Sequence, residues 1–172
     1  MKLLFVALSS YVLLCTFLLF LPLSLHPASH LPDDGDALQA TWMMAWIAHQ
    51  IPRDASNLFD ANVYFPHPRG LVYSEHFIPQ GLLVALFMSL GANLVLACNL
   101  LAAATLAGIA LATALLAREL GLSSSGAIVS GVAASLTAFN LGEVARLHIL
   151  FMPFLPLSLY FLLRFFRSGS LG

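Results

Sequence analysis

The 172-residue chain is 60% hydrophobic and only 9% charged, against about 25% charged in an ordinary soluble domain; it reads as an integral membrane protein. A formal net charge of −1 leaves no cluster of Lys and Arg to neutralise phosphates, which sets nucleic acid aside as a partner. Cys15 and Cys98 lie inside apolar runs without C-x-x-C or zinc spacing, behave as small hydrophobes and say nothing of redox compartment.

Residues 3–25 form an uncharged apolar run of about the length that crosses a bilayer core of roughly 30 Å. The run exceeds a typical signal-peptide core of about 7–15 residues and lacks a clear A-x-A site, so an uncleaved first transmembrane helix is expected over a signal peptide.

The next stretch, 26–92, holds six of the eight acidic residues: Asp33, Asp34, Asp36, Asp54, Asp60 and Glu75. Asp36-Ala-Leu-Gln39 has the form of a capping box, so a helix is expected over 36–50. Leu38, Trp42, Ala45, Trp46 and His49 recur at three- and four-residue spacing and give it an apolar, aromatic face. The segment is too short and too polar to span, and its two tryptophans suit a helix lying at the membrane interface and ended by Pro52. Pro66-His-Pro-Arg-Gly70 is a turn by composition. A second interfacial helix is expected over 75–90, opened by Ser74; its apolar part, 77–90, is about half a normal crossing and contains Pro79, Gln80 and Gly81.

Residues 94–117, 123–141 and 149–166 are the remaining membrane candidates, with 142–148 a second external loop. If 77–90 does not cross, Lys2, Arg118, Arg164 and Arg167 all face the cytoplasm and the acidic loop faces outside, as the positive-inside rule requires. The expected fold is therefore an all-α polytopic membrane protein, a single domain over 1–172 with about four crossings and two interfacial (juxtamembrane) helices in the first external loop. Gly108, Gly126, Gly131, Ala133 and Ala134 are small residues of the kind that let transmembrane helices approach, a generic feature. Four helices leave little room to enclose a substrate, and the chain is expected to be the amino-terminal part of a longer protein.

Gly35-Asp36, Trp42, Trp46, Phe65-Pro66 and Ser74-Glu75-His76 follow the first apolar run in order, and Leu141-Gly142 precedes His148 in the second loop. This pattern resembles the GT-C class of membrane glycosyltransferases, and within it the large bacterial integral membrane proteins whose first external loop reads G-D, then two tryptophans, then Phe-Pro and Ser-Glu-His. The resemblance covers nearly the whole chain but only the amino-terminal third of a typical member. It implies a cell-envelope enzyme of the bacterial inner (plasma) membrane that moves a hexosyl or pentosyl group from a polyprenyl-phosphate donor, held among the membrane lipids, to an acceptor at the external face. An acidic residue after the first helix would act as base in an inverting reaction.

By motif position Asp36 is the first candidate for that base and Asp34 the second. Deprotonating an acceptor hydroxyl calls for a carboxylate near the interface, where the donor head group lies. Asp36 also suits a helix N-cap, which is the competing role. Glu75 and His76 are placed to orient a phosphate, a metal or an acceptor, or else form a polar helix start favoured by the dipole. Arg146 and His148 share the external compartment, where a guanidinium suits phosphate recognition or lipid head groups. Arg69, with His67 and Tyr73, is a further substrate-binding candidate or a residue of a packed loop. A divalent metal has ligand types available in Asp36, Glu75, His76 and His148, but their spacing matches no compact motif such as H-E-x-x-H. No Walker, G-x-S-x-G or nucleotide-binding glycine motif is present. The alternative function is non-enzymatic, a transporter segment or an assembly subunit whose external loop binds a partner. Transport would ordinarily place ionisable residues at mid-membrane depth, whereas the acids here collect at the external interface.

Overall fold

In a computed structural model the protein is all-helical among the described residues, which are 25–150 and 152–169, the side chains of Ile149 and Leu150 excepted. The expected first crossing, 3–25, lies outside them apart from Leu25. The helices are α1 (Asp36–Asp54), α2 (Ile78–Ser89), α3 (Leu94–Glu119), α4 (Ser124–Ser135), α5 (Ala138–Gly142), α6 (Leu147–Leu150) and α7 (Phe154–Ser168), with 3-10 turns at Ala55–Asn57 and Gly70–Tyr73. The chain divides into two compact units.

The first unit comprises His26–Leu101 and Ala145–His148. Its α1 starts at Asp36, but the expected capping box is not what starts it. Asp33 Oδ1 accepts from the Gly35 N–H (2.7 Å) and the Ala37 N–H (3.1 Å), satisfying first-turn donors that would otherwise be orphaned. Gly35 stands at the N-cap position and Asp36 is the first helical residue. At the other end α1 continues past Pro52 to Asp54. A proline in the last turn forfeits one backbone bond, and the Arg53 guanidinium, donating to His49 O at 2.9 Å, and the Gln50 amide, donating to Asp54 O at 3.0 Å, tie that turn together.

The face of α1 buried within the protein is Ala37, Ala40, Thr41, Met43, Met44 and Ile47, and the aromatic stripe through Leu38, Trp42, Trp46 and His49 lies on another face, exposed or half-buried. Small residues at 37, 40 and 41 allow close approach, while Met44 and Ile47 are fully buried and contribute about 1.5–3 kcal/mol each by leaving water. The approach of α2 is set by Gly81, where a Cβ would lie 2.5 Å from Ile47 Cβ. The two tryptophans stack on each other at 6.5 Å, and Trp46 Nε1 donates to Leu58 O at 2.8 Å.

Helix α2 begins at Ile78, three residues later than expected, because Pro79 is tolerated only in a first turn. Ser74, Glu75 and His76 therefore precede the helix, and its N-cap position falls to Phe77 rather than Ser74. With 12 residues, α2 is about 18 Å long, well under the roughly 30 Å of a bilayer core. The start of α3 is tied to the preceding chain by two asparagines. Asn93 donates to Ala28 O (2.9 Å), and Asn99 donates to Pro27 O and His30 O (2.8 Å each).

Helix α3, with 26 residues and thus about 39 Å, is the one described helix long and apolar enough to cross a membrane. Its residues 94–101 belong to the first unit; the second comprises Met1–Leu25, Ala102–Val144 and Ile149–Gly172. There, Gly131 lets α4 sit against the α3 backbone, a Cβ at that position falling 2.5 Å from Ala110 O. Ala114, Ala117 and Ala127 pack beside it. The buried Ser135 hydroxyl donates to Leu106 O at 2.9 Å.

The expected continuous helix 123–141 is broken at Leu136–Thr137. Thr137 caps α5 by accepting from Asn140 N–H at 3.2 Å, and the Asn140 amide donates to Ala134 O (2.8 Å) and Ser135 O (3.3 Å), the carbonyls α4 leaves unpaired. The expected helix 149–166 is likewise not continuous, since Met152 and Pro153 separate α6 from α7 and proline cannot extend a helix through its own position. Helix α7 ends at Gly169 in the left-handed region. The Arg167 guanidinium binds both the backbone carbonyl of Glu119 and its carboxylate, Oε1 at 3.0 Å.

Candidate functional site

Because Asp33 serves as the cap, the Asp36 carboxylate is available to other partners. Arg146 Nε donates to Asp36 Oδ2 at 2.5 Å, with both side chains about half-exposed (48% and 49%). Residues 36 and 146 thus meet within one compact unit, although 110 positions separate them. Two residues beyond Arg146, His148 Nε2 lies 3.9 Å from Glu75 Oε1. The His148 ring also stands edge-on to Phe77, with centroids 5.3 Å apart at 83°. Leu147, between the two, is buried and anchors the segment by leaving water.

Glu75 is held anionic. Its own backbone N–H, and next the Ser74 hydroxyl donating to Oε2 at 3.1 Å, keep the carboxyl below its ordinary range. Partial desolvation opposes them, His148 acts in the same direction as the hydrogen bonds, and the neighbouring negative charge of Asp36 opposes it. Two acids from the first loop and an arginine and a histidine from the second thus form one cluster. Two polar atoms of this unit, Gln80 Oε1 and His148 Nδ1, are buried without a hydrogen-bond partner. That is an uncommon state for buried polar groups.

The other sequence candidates fall elsewhere or stand alone. Asp34 is exposed and engages no partner among the described residues. His76 is exposed and meets Phe59 edge-on at 5.9 Å. Arg69 is in the left-handed region, and its backbone N–H donates to Asp60 Oδ1 at 2.7 Å, a role in loop structure. Among the described residues no three His, Cys, Asp or Glu gather closely enough to hold a metal ion.

A groove of about 680 Å³ opens beside the first turns of α1, lined mainly by Leu38, Trp42, Met43, Val63 and Tyr64. Sequence reasoning missed the roles of Asp33, Phe77 and Gln80. For Asp33 a signal existed, since an Asp two residues before a Gly forms local side-chain-to-backbone turns. For Phe77 and Gln80 none did, because both depend on tertiary placement. The chemistry on offer is a half-exposed carboxylate oriented by a guanidinium, next to a second carboxylate and an imidazole. No protein-family model, curated protein or solved structure matches the chain.

Proposed function

We propose that the protein acts as a GT-C-like membrane glycosyltransferase, transferring a sugar from a polyprenyl-phosphate donor to an acceptor at the external membrane face. The observation that carries this reading is the convergence of Asp36 and Glu75 with Arg146 and His148 from a distant stretch. In the proposed mechanism Asp36 accepts the proton of the acceptor hydroxyl as that oxygen attacks the sugar carbon and the lipid phosphate leaves, with inversion. Arg146 orients the carboxylate and lies where a guanidinium can also meet phosphate oxygens. Glu75 and His148 bind the acceptor or the phosphate. The proposed membrane arrangement keeps four crossings. Residues 3–25, α3, α4 with α5, and 149–166 make those crossings, the last two being interrupted, and α1 and α2 lie at the interface of a bacterial inner membrane.

The proposal is tested by supplying membranes carrying the protein with radiolabelled polyprenyl-phosphate sugars and following donor consumption against membranes without it. Protein-dependent release of the lipid phosphate is expected. Consumption equal to the control for hexosyl and pentosyl donors alike would overturn the assignment in favour of a non-enzymatic role.

A further inference from the structure

The segment from Phe59 to Tyr73 forms a closed loop. Leu71 N–H donates to Phe59 O (3.0 Å), Arg69 N–H to Asp60 Oδ1 (2.7 Å) and His67 N–H to Tyr64 O (2.9 Å). At Gly70 a Cβ would sit 2.3 Å from Val63 O, so the two sides touch backbone to backbone. The base is pinned to α1 through the Trp46 indole on Leu58 O. A loop stitched in this way is already ordered and loses little entropy on binding.

What this loop presents outward is largely apolar and aromatic, with Asn62, His67 and Arg69 exposed beside it. Phe65 is 94% exposed, Tyr73 66%, Val72 58% and Tyr64 52%. Tyr73 meets Tyr64 and His67 edge-on, at 5.9 and 6.4 Å. Arg69 is the one Asp, Glu, Lys or Arg between Ala61 and Ser74. The patch runs on into the groove through Tyr64, beside Leu38 and Trp42. Exposed, contiguous apolar surface on a rigid support is a mark of an interaction site.

We propose that this aromatic loop docks into the interfacial layer of the lipid bilayer, with Phe65 inserted and Tyr64 and Tyr73 at head-group depth. The inference rests on reading α3 as a membrane crossing. The compact unit that carries the loop also contains residues 94–101, the opening of α3, so a crossing by α3 ties that unit to the membrane surface. Tyrosines with one apolar and one wet end are enriched at that depth. A sugar platform fits less well, because polar partners must ring the stacking face, and Phe65, almost wholly exposed, carries none.

The test places a bimane label at Phe65→Cys, and separately at Ser56→Cys, in a Cys15→Ala/Cys98→Ala background. Ser56 is exposed within a polar turn with Asp54 and Asn57. The full chain is reconstituted into vesicles of phosphatidylethanolamine and phosphatidylglycerol. The label at 65 is expected to be quenched by lipid bearing a shallow doxyl group and shielded from aqueous iodide about threefold or more relative to position 56. Equal iodide quenching at the two positions in protein that resists carbonate extraction would overturn the docking while leaving the crossing intact. Loss of the chain from vesicles in carbonate would instead overturn the crossing and the inference with it. Shielding that appears only with added soluble saccharide, or that rises with protein density, would assign the loop to carbohydrate or to a second copy and overturn the proposal.

Discussion

The Asp36–Arg146 pair can be measured by a double-mutant cycle of Asp36→Asn, Arg146→Gln and the double variant. At 2.5 Å and through Nε the contact is a charge-assisted hydrogen bond, stronger than a neutral one. Both partners are about half-exposed, so solvent screening and the ordering of two flexible side chains leave about 0.2–1 kcal/mol. The unfolding midpoint in detergent gives the readout, and because the cycle subtracts each residue's other contacts, it isolates this one. The coupling should lie near the top of that range at low salt and shrink as ionic strength rises through 0.15 M, where the screening length is about 8 Å. No coupling at low salt, or coupling indifferent to salt, would refute the pairing and with it the link between the two loops.

Three further outcomes follow from the same contacts. Asp33→Ala removes the cap of α1 and should cost about 0.5–2 kcal/mol, while Asp33→Asn, which keeps the accepting oxygen, should melt close to the parent; an equal loss in the two variants would contradict the capping role of Asp33. Glu75 has a folded-state pKa below its ordinary value, so its contribution to stability is present above that ordinary value and is lost as pH falls through the folded one. The acid limb of the melting profile should accordingly be shallower in Glu75→Gln, and superimposable limbs would contradict the shift. With four crossings, cysteines placed at Gly91 and Ser124 should be labelled from outside and inside respectively, and labelling of both from one side would refute that topology.

Much of the site was legible in the sequence because charge is scarce in this chain. Asp36, Glu75, Arg146 and His148 stand out against an apolar background, and their motif order pointed to them before any geometry. Their pairing was not legible, since nothing local links residue 36 to 146. The start of α1 was legible, yet its cap was misassigned, because Asp33 and Asp36 both satisfy the local rules and only the Asp33 bonds to Gly35 and Ala37 decide between them. The face of α1 that packs inside the protein was not legible. Nothing local separates the face that meets α2, where Ile47 lies against Gly81, from the aromatic one. The interruption between α4 and α5 had a readable signal, Thr137 three residues before Asn140, but the unbroken apolar character of the stretch masked it.

The central claim, that Asp36 is the proton acceptor, is tested most directly by comparing Asp36→Asn with Asp33→Asn for sugar release from a polyprenyl-phosphate donor. Asn at 33 keeps the oxygen that caps α1 and Asn at 36 leaves that cap untouched, so both variants should insert and melt close to the parent. A positioned general base contributes about 10²–10⁴-fold. Asp36→Asn should therefore lose at least the lower figure, while Asp33→Asn retains activity near that of the parent. Full activity in a well-folded Asp36→Asn protein would contradict the claim and leave Asp36 as one half of a structural ion pair.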